Sequence, residues 1–503
     1  MQLMKRKCPW PLVFHGLISV ILGTTILLWR EELTNMLLDC FLILKRSSYI
    51  LEEWSNPSAK VNIELFYFNW TNPNDLKNKS IKPQFEELGP YFFAQEYKKV
   101  DIAFNENHTI TYRNQKFFHF DETKSKGSLD DAITSLNVIP TATADKSRNW
   151  NYVMRKLLSI SLNGVPYEST KPLKELLFIG YKDPLLTTAS YLPFLDNIPD
   201  MDKFAWFYKR NGSTEYEGIY TMGTGQGNTT LGTVYKWNYK HKGSYPGHCG
   251  NIEAHMEIFP RMKKDRLDLF NSDFCRRVIL DYNKTVTYEG MEAYKFTAGA
   301  SFLDSGTFNP ENKCLCSRKC QKFGVVEYSA CKYGIPAYIS LPHFLKADPS
   351  FRTKIEGMKP SQKNHESYVM INSRTGIVVE TKLAIQINLL LEPNPLIRKY
   401  NDVPEIMFPI FWFSVDMKLT DPVITKLKLL NFIPIALKAI SAILVFLGMI
   451  ILIHSLHRRL ADIQRRDIEN ITTDYEKNRN HLVQRRTTKE IERVIAYDLN
   501  KNK

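Results

Sequence analysis

Four cysteines, Cys314, Cys316, Cys320 and Cys331, fall within the stretch NKCLCSRKCQKFGVVEYSACKYG, half of the eight in a chain of 503 residues. Thiols at that density do one of two kinds of chemistry. They hold a soft cation such as zinc in a tetrahedral cage, or they oxidise in pairs to disulfides. A cage would draw on the C-x-C of Cys314 and Cys316 and the C-x-x-x-C of Cys316 and Cys320. Neither is a usual zinc spacing, and Arg318 and Lys319 would crowd a cation. The compartment decides between the two, so the question passes to the elements that carry this stretch.

Other spacings that could do chemistry are weaker. MGTGQGNTT holds Gly223, Gly225 and Gly227 as G-x-G-x-G with no helical pattern after it, which reads as a turn and not as a phosphate cradle. His248 and His255 are too far apart for a common zinc template. Neither G-x-S-x-G nor H-E-x-x-H occurs. Nothing here points to an enzyme, a cofactor or a metal.

Two apolar runs set the compartment. WPLVFHGLISVILGTTILLW has no charged residue, and FIPIALKAISAILVFLGMIILIHSL has one, Lys438. Each is long enough for a helix across a bilayer core, which needs about 20 residues. The first is longer than the apolar core of a signal peptide, and no A-x-A-like site follows it, so it reads as an uncleaved anchor. Lys5, Arg6 and Lys7 precede the first run; Arg458, Arg459, Arg465 and Arg466 follow the second. Basic flanks stay cytoplasmic. The expected organisation is a cytoplasmic start over 1–9, spans over 10–29 and 431–456, an ectodomain over 30–430, and a cytoplasmic tail over 457–503. The formal net charge of +14 is enriched at the two ends, with no nucleic-acid-binding motif, which argues against a nucleic-acid partner.

Sequons agree with that topology. Asn69, Asn78, Asn107, Asn211, Asn228 and Asn283 all begin Asn-x-Ser/Thr, and all lie in the expected ectodomain as candidate glycosylation sites. In an oxidising compartment the six cysteines Cys249, Cys275, Cys314, Cys316, Cys320 and Cys331 pair, and spacing leaves their connectivity open. Cys40 is a seventh, near the first span. Cys8, cytoplasmic and next to the membrane, is a palmitoylation candidate.

The ectodomain reads as mixed α and β. Alternation and β-formers predict strands over 61–68, 91–104 and 108–120, and a hairpin over 367–391 around Arg374-Thr375-Gly376. Short helices are expected over 152–162 and 171–181, inside a helical insertion near 130–195. DKSRNWNYVMRKLLSISLNG sets Lys146, Arg148, Arg155 and Lys156 beside Trp150, Tyr152, Val153 and Met154. A mixed basic and apolar surface suits anionic lipid or an acidic protein, and these four basic residues are the candidate ligand contacts. The tail after 457 reads as helical at the membrane surface or as disordered.

FNWTNP (68–73), ELGPY (87–91), KELLFIGYKDPL (174–185), NSDFCRRV (271–278) and GIPAYISLPHFLKADP (334–349) occur in order. On these words the chain resembles the class B scavenger receptors, most closely their croquemort-like branch, over about 10–456. The resemblance implies an α+β membrane protein: a large antiparallel β-barrel ectodomain with a helical apex, anchored by two transmembrane helices and crossed by an apolar tunnel. It implies pairing of Cys249 with Cys314, Cys275 with Cys331, and Cys316 with Cys320. It further implies a non-enzymatic receptor at the plasma membrane or in endosomes and lysosomes, with both termini cytoplasmic. Lipids, lipoproteins, and anionic phospholipid or apoptotic debris would be its partners, and a homo-oligomer is compatible. Some relatives carry a lysine pair near a fatty-acid entrance; SLNGVPYESTKP here has only Lys171. Two further readings share the topology: a lysosomal sorting receptor for a lumenal protein, and a two-span ligand-gated ion channel with Ser441 and Gly448 on a pore stripe.

Overall fold

The computed structural model describes residues 10–190, 202–260, 264–332 and 334–501. Cys8 lies outside the described residues. The chain divides into two compact units, Leu38–Asn431 and a terminal unit made of the segments on either side of it.

In the terminal unit, helix α1 (Trp10–Leu28) and part of the C-terminal helix (Asp421–Lys501) are each long and apolar enough to cross a membrane. They meet through small residues. A Cβ on Gly16 would lie 2.9 Å from Leu452 Cγ; one on Gly23 would lie 2.9 Å from the Ser441 carbonyl, and one on Gly448 the same distance from that of Gly16. Backbones this close leave room for hydrogen bonds between helices, as in other tightly packed spans. Ser19 Oγ donates to the Leu444 carbonyl at 2.8 Å, and Ser441 Oγ donates to that of Gly23 at 2.6 Å. Ser441 and Gly448 therefore face α1, and the stripe that could have lined a pore is spent on helix packing. The tail continues as one helix to Lys501, exposed from Arg458 to Ala496 save at Arg459.

The larger unit opens with helices α2 (Arg30–Leu42) and α3 (Tyr49–Ser55), the first of which begins in the terminal unit. Its strands, in chain order, are β1 (Lys60–Trp70), β2 (Phe85–Phe104), β3 (Thr109–Phe120), β4 (Ala132–Leu136), β5 (Glu168–Pro172), β6 (Ile219–Gly223), β7 (Thr233–Trp237), β8 (Ala254–His255), β9 (Arg266–Asn271), β10 (Arg276–Tyr288), β11 (Met291–Thr297), β12 (Val326–Glu327), β13 (Ala337–Ser340), β14 (Tyr368–Asn372), β15 (Val378–Leu391) and β16 (Ile406–Lys418). β1, β2, β3, β6, β7, β8, β9, β10, β11, β14, β15 and β16 pair in that order, and β16 returns to β1. The expected barrel is thus a closed ring, antiparallel except for a short β8–β9 pair. β12 and β13 hang from β15 beyond the reach of β14.

The apolar pattern explains the closure. β16 reads IMFPIFWFSVDMK and is buried on both faces from Ile406 to Trp412, which is why it is apolar there without alternation. Pro409 has no N–H to donate, and it sits at a register shift against β15, where the ladder is already broken. A second irregularity, between β1 and β2, falls at Gly89-Pro90. Gly89 has φ +123°, and a Cβ there would lie 2.7 Å from the Leu65 carbonyl, so only glycine fits. Inside, Trp70 meets Phe408 edge-on at 5.0 Å and Tyr67 stacks on Phe411 at 5.6 Å.

A buried charge cluster ties the wall together. Arg210 Nη2 lies 2.8 Å from Glu217 Oε1 and 2.9 Å from Asp273 Oδ1, while Lys116 Nζ lies 2.6 Å from Glu217. The guanidinium also sits over the rings of Phe118, Phe207 and Tyr216. Burial would raise the Asp273 carboxyl, but the charges of Arg210 and Lys116 outweigh it and hold the group at about 2. Its contribution to stability is complete above the ordinary aspartate pKa and is lost as pH falls through about 2. Arg210→Met leaves the buried Glu217 and the half-buried Asp273 carboxylates short of a partner and is expected to destabilise the protein by about 3 kcal/mol. Thermal unfolding of the full chain in detergent, with Lys116→Met as a milder comparison, measures this.

Candidate functional site

The insertion expected near 130–195 is rooted in a two-stranded ribbon, β4 against β5, with Ile133 opposite Lys171. The helix expected over 171–181 does not form as such. Lys171 and Pro172 are taken up by β5, and a single wide π turn follows over Glu175–Ile179. The carbonyls of Leu176 and Leu177 accept from Trp206 and Phe207 backbone N–H at 2.9 and 2.8 Å, and Gly180, at φ +78°, ends the turn.

Two helices within the insertion differ in what they bury. α4 (Val138–Lys146) buries six of its nine residues, Pro140 and Thr141 among them, and acts as a floor. α5 (Tyr152–Ser161) starts on Asn151, whose side chain accepts from Met154 N–H at 2.9 Å, and only Leu158 on it is fully buried. Its outer face is apolar: Tyr152, Val153, Leu157 and Ile160 are 56–73% exposed. An ordinary surface helix turns that face inward. Lys156 is exposed on the same helix, with Nζ 5.5 Å from the centre of the Tyr152 ring. A helix N-terminus of α6 (Pro184–Ser190) follows the insertion's π turn.

The four basic candidates separate. Lys156 alone is fully exposed. Arg155 is half-buried. Lys146 is half-buried, and burial lowers its amine despite the opposing charge of Asp145. Arg148 turns inward: Nε is 3.1 Å from Asp145 Oδ1, and Nη2 is 3.2 Å from Glu392 Oε1 and donates to the Pro393 carbonyl at 2.8 Å. Arg318 completes the ring, at 2.8 Å from Asp145 and 2.7 Å from Glu392. Arg148 is thus spent on an internal network and does not offer a free charge to a ligand, contrary to the reading of its helix from sequence. The signal missed was Arg318, a charge in a distant segment.

Arg318 sits at the tip of the loop closed by Cys316 and Cys320, whose Cα atoms are 5.3 Å apart. The structure also joins Cys249 to Cys314 and Cys275 to Cys331, with Cα separations of 5.9 and 5.5 Å. His248 lies 3.4 Å from Cys314 Sγ, and His248, Cys249 and Cys314 are the one grouping among the described residues shaped for a metal. Both sulfurs are tied in a disulfide, and a metal needs thiolates. Cys40 is free and exposed.

Five sequon asparagines, Asn78, Asn107, Asn211, Asn228 and Asn283, are exposed. Asn69 is half-buried in β1, and its side-chain oxygen accepts the Thr134 backbone N–H at 2.9 Å.

Two of the sequence words meet where Glu87 reaches the buried rings of His343 and Trp412, a contact that neither predicts alone. Glu87, beside the Gly89-Pro90 irregularity, accepts from His343 Nε2 at 2.6 Å and Trp412 Nε1 at 2.7 Å. His343 Nδ1 accepts the Lys359 backbone N–H at 3.1 Å, which fixes the tautomer. His365 stacks on His343 at 4.5 Å, and its Nδ1 accepts the Ser361 backbone N–H at 3.1 Å.

The profile of the CD36 family matches residues 14–458. Protein peste of Drosophila melanogaster is 32% identical over 416 residues, covering 81% of this chain and 75% of its own. Scavenger receptor class B member 1 of Mus musculus is 27% identical, covering 79% of each chain. Lysosome membrane protein 2 of Homo sapiens is 28% identical, covering 88% of this chain and 93% of its own.

The His343–His365 pair generates a pH prediction. Burial, then the neighbouring His343, lowers the His365 imidazole to about 4. The unfolded chain therefore takes up this proton first, and stability that is complete above pH ~6.5 is lost as pH falls towards about 4. His365→Gln removes that proton uptake. The drop in Tm of the full chain between pH 7 and pH 4.5 is expected to shrink in the variant; an identical drop would refute this assignment.

Proposed function

The chain belongs to the CD36 family, and on that premise we propose that it is a membrane receptor for lipids, lipoproteins and anionic phospholipid surfaces such as apoptotic debris. The observation that carries the reading is the outward apolar face of α5 beside Lys156. Tyr152, Val153, Leu157 and Ile160 can enter the headgroup and acyl boundary, while Lys156 meets anionic headgroups; each basic residue near such a surface contributes about 1 kcal/mol. The work is binding and transfer, with no chemical step. Bound lipid passes through the apolar barrel interior, where each CH₂ kept from water is worth about 0.8 kcal/mol.

In this reading both termini are cytoplasmic, as the basic flanks of the two spans require. Leu38–Asn431 then faces the outside of the cell, and the exposed sequons carry glycans. The three cystine pairs belong to that oxidising side. The plasma membrane is the proposed site of action. The match to Lysosome membrane protein 2 supports a second reading, a receptor resident in lysosomes that sorts a lumenal protein. Imaging of the tagged chain and identification of co-purifying proteins separates the two.

Flotation with phosphatidylserine vesicles tests the lipid contact on the full chain in detergent or nanodiscs. Leu157→Asp with Ile160→Asp is expected to weaken binding about tenfold or more, from the lost insertion of two large apolar side chains. Lys156→Glu is expected to weaken it about fivefold, and the loss should vanish on neutral vesicles. These positions are exposed, so Tm should not move. Unchanged flotation by variants of normal Tm would remove α5 as the contact. Lipids co-purifying with the extracted protein, identified by mass spectrometry, test passage through the interior.

A further inference from the structure

Asn107 and Asn228 are distant in sequence but share the wall of one open groove of about 1100 Å³. The turn between β2 and β3 carries Asn107, and the loop between β6 and β7 carries Asn228. The two are stitched together at one carbonyl. That of His108 accepts from Thr224 N–H at 3.2 Å, Thr224 Oγ1 at 2.7 Å and Thr229 Oγ1 at 3.0 Å. Gly227 makes the approach possible: its φ is +56°, and a Cβ there would lie 2.4 Å from His108 Cδ2. The glycine-rich run is thus the turn expected from its sequence, held in place as part of the wall. Within it Thr109 Oγ1 donates to Asn107 Oδ1 at 2.7 Å, so the hydroxyl of this sequon already holds its asparagine.

Aromatic rings of Phe104, Tyr235 and Tyr239 share the lining with polar side chains such as Asn105, Glu106 and Lys236. Tyr235 is fixed by its hydroxyl, which accepts the Thr230 backbone N–H at 3.0 Å. Tyr239 is 68% exposed at the tip of the turn that follows β7. Trp237 and Lys240 close that turn with hydrogen bonds of 2.9 and 3.0 Å, and its central residues Asn238 and Tyr239 have φ +50° and +62°. A turn of this kind favours asparagine first and glycine second. A tyrosine in the left-handed region costs backbone energy, and such strain is retained where the side chain has a use. Here it holds an aromatic face open to the groove beside two glycan acceptors.

We infer that this groove is a carbohydrate-binding site, and that its ligand is the chain's own N-linked oligosaccharide at Asn107 and Asn228. The electron-rich faces of Tyr239 and Tyr235 pack against the apolar C–H faces of the sugar rings, and the polar rim takes their hydroxyls. The inference rests on the proposed reading of these asparagines as glycosylated. A seated glycan is withheld from trimming enzymes, whereas glycans on Asn78 and Asn283, which do not line the groove, are open to them.

The test is site-by-site glycopeptide mass spectrometry on the full chain made in animal cells. Glycans at Asn107 and Asn228 should retain more untrimmed oligomannose than those at Asn78 and Asn283. Tyr239→Gly installs the residue the turn prefers, so folding is preserved. It should raise the trimmed fraction at Asn107 and Asn228 by about threefold, the factor that loss of one aromatic contact corresponds to, and leave Asn78 and Asn283 unchanged. Release by an oligomannose-specific endoglycosidase should be slower at the two groove sites in native protein and equal at all sites after denaturation. Occupied but fully trimmed groove sites, or no response to Tyr239→Gly, overturn the inference and leave the glycosylation reading intact. Bare asparagines at both positions overturn the two together.

Discussion

The structure of the larger unit depends on one strand being hydrogen-bonded on both sides. β16, the last strand of the chain, pairs with β1 from Lys60↔Lys418 to Tyr67↔Phe411 and with β15 from Glu380↔Lys418 to Leu391↔Ile406. An open sheet of this size would expose two edges, each a row of unsatisfied N–H and C=O groups. Joining the last strand to the first removes both. With both edges of β16 paired, its one proline lies at a shift in register, where the ladder is already broken.

Closure brings distant segments side by side, and several of the sequence words prove to be the fasteners between them. Glu87 of ELGPY, His343 of SLPHF and Trp412 of β16 converge on a single carboxylate oxygen. Asp273 of NSDFCRRV anchors Arg210 beside the Cys275–Cys331 link. The tight Cys316–Cys320 loop holds Arg318 against Asp145 and Glu392, so a disulfide, an ion-pair ring and the base of α4 form one joint. The buried Arg210–Glu217 pair adds little net stability over apolar packing, but removing one partner is costly, which makes it selective for a single arrangement.

Above that base the insertion separates packing from display. α4 buries nearly everything, and α5 buries almost nothing. A large apolar face left in water is unfavourable unless something covers it. The same contrast appears at the wall groove, where two left-handed residues hold Tyr239 outward. In both places the fold positions an aromatic or aliphatic surface that the protein's own core does not use.

Local pattern was enough for the elements whose signal lies within a few residues. The strands around 61–68, 91–104 and 108–120, the hairpin over 367–391 and the helix at 152–162 all follow from period and composition, and the observed elements overlap them closely. The two apolar runs and their basic flanks likewise needed no structure, because bilayer thickness sets the length of a spanning helix. What the sequence could not determine are relations between distant residues. Arg148 is basic and next to apolar side chains in the sequence, yet Glu392 and Arg318, far along the chain, turn it inward. Asn69 carries a sequon like the others, yet its place in β1 leaves it half-buried where the other five are exposed. The segment at 171–181 has helical composition, but pairing with β4 and the demands of Trp206 and Phe207 for carbonyl partners reshape it. Period and composition report what a segment prefers when alone. Which charge is free, which asparagine is accessible and which glycine permits a contact are decided by what the closed barrel brings alongside.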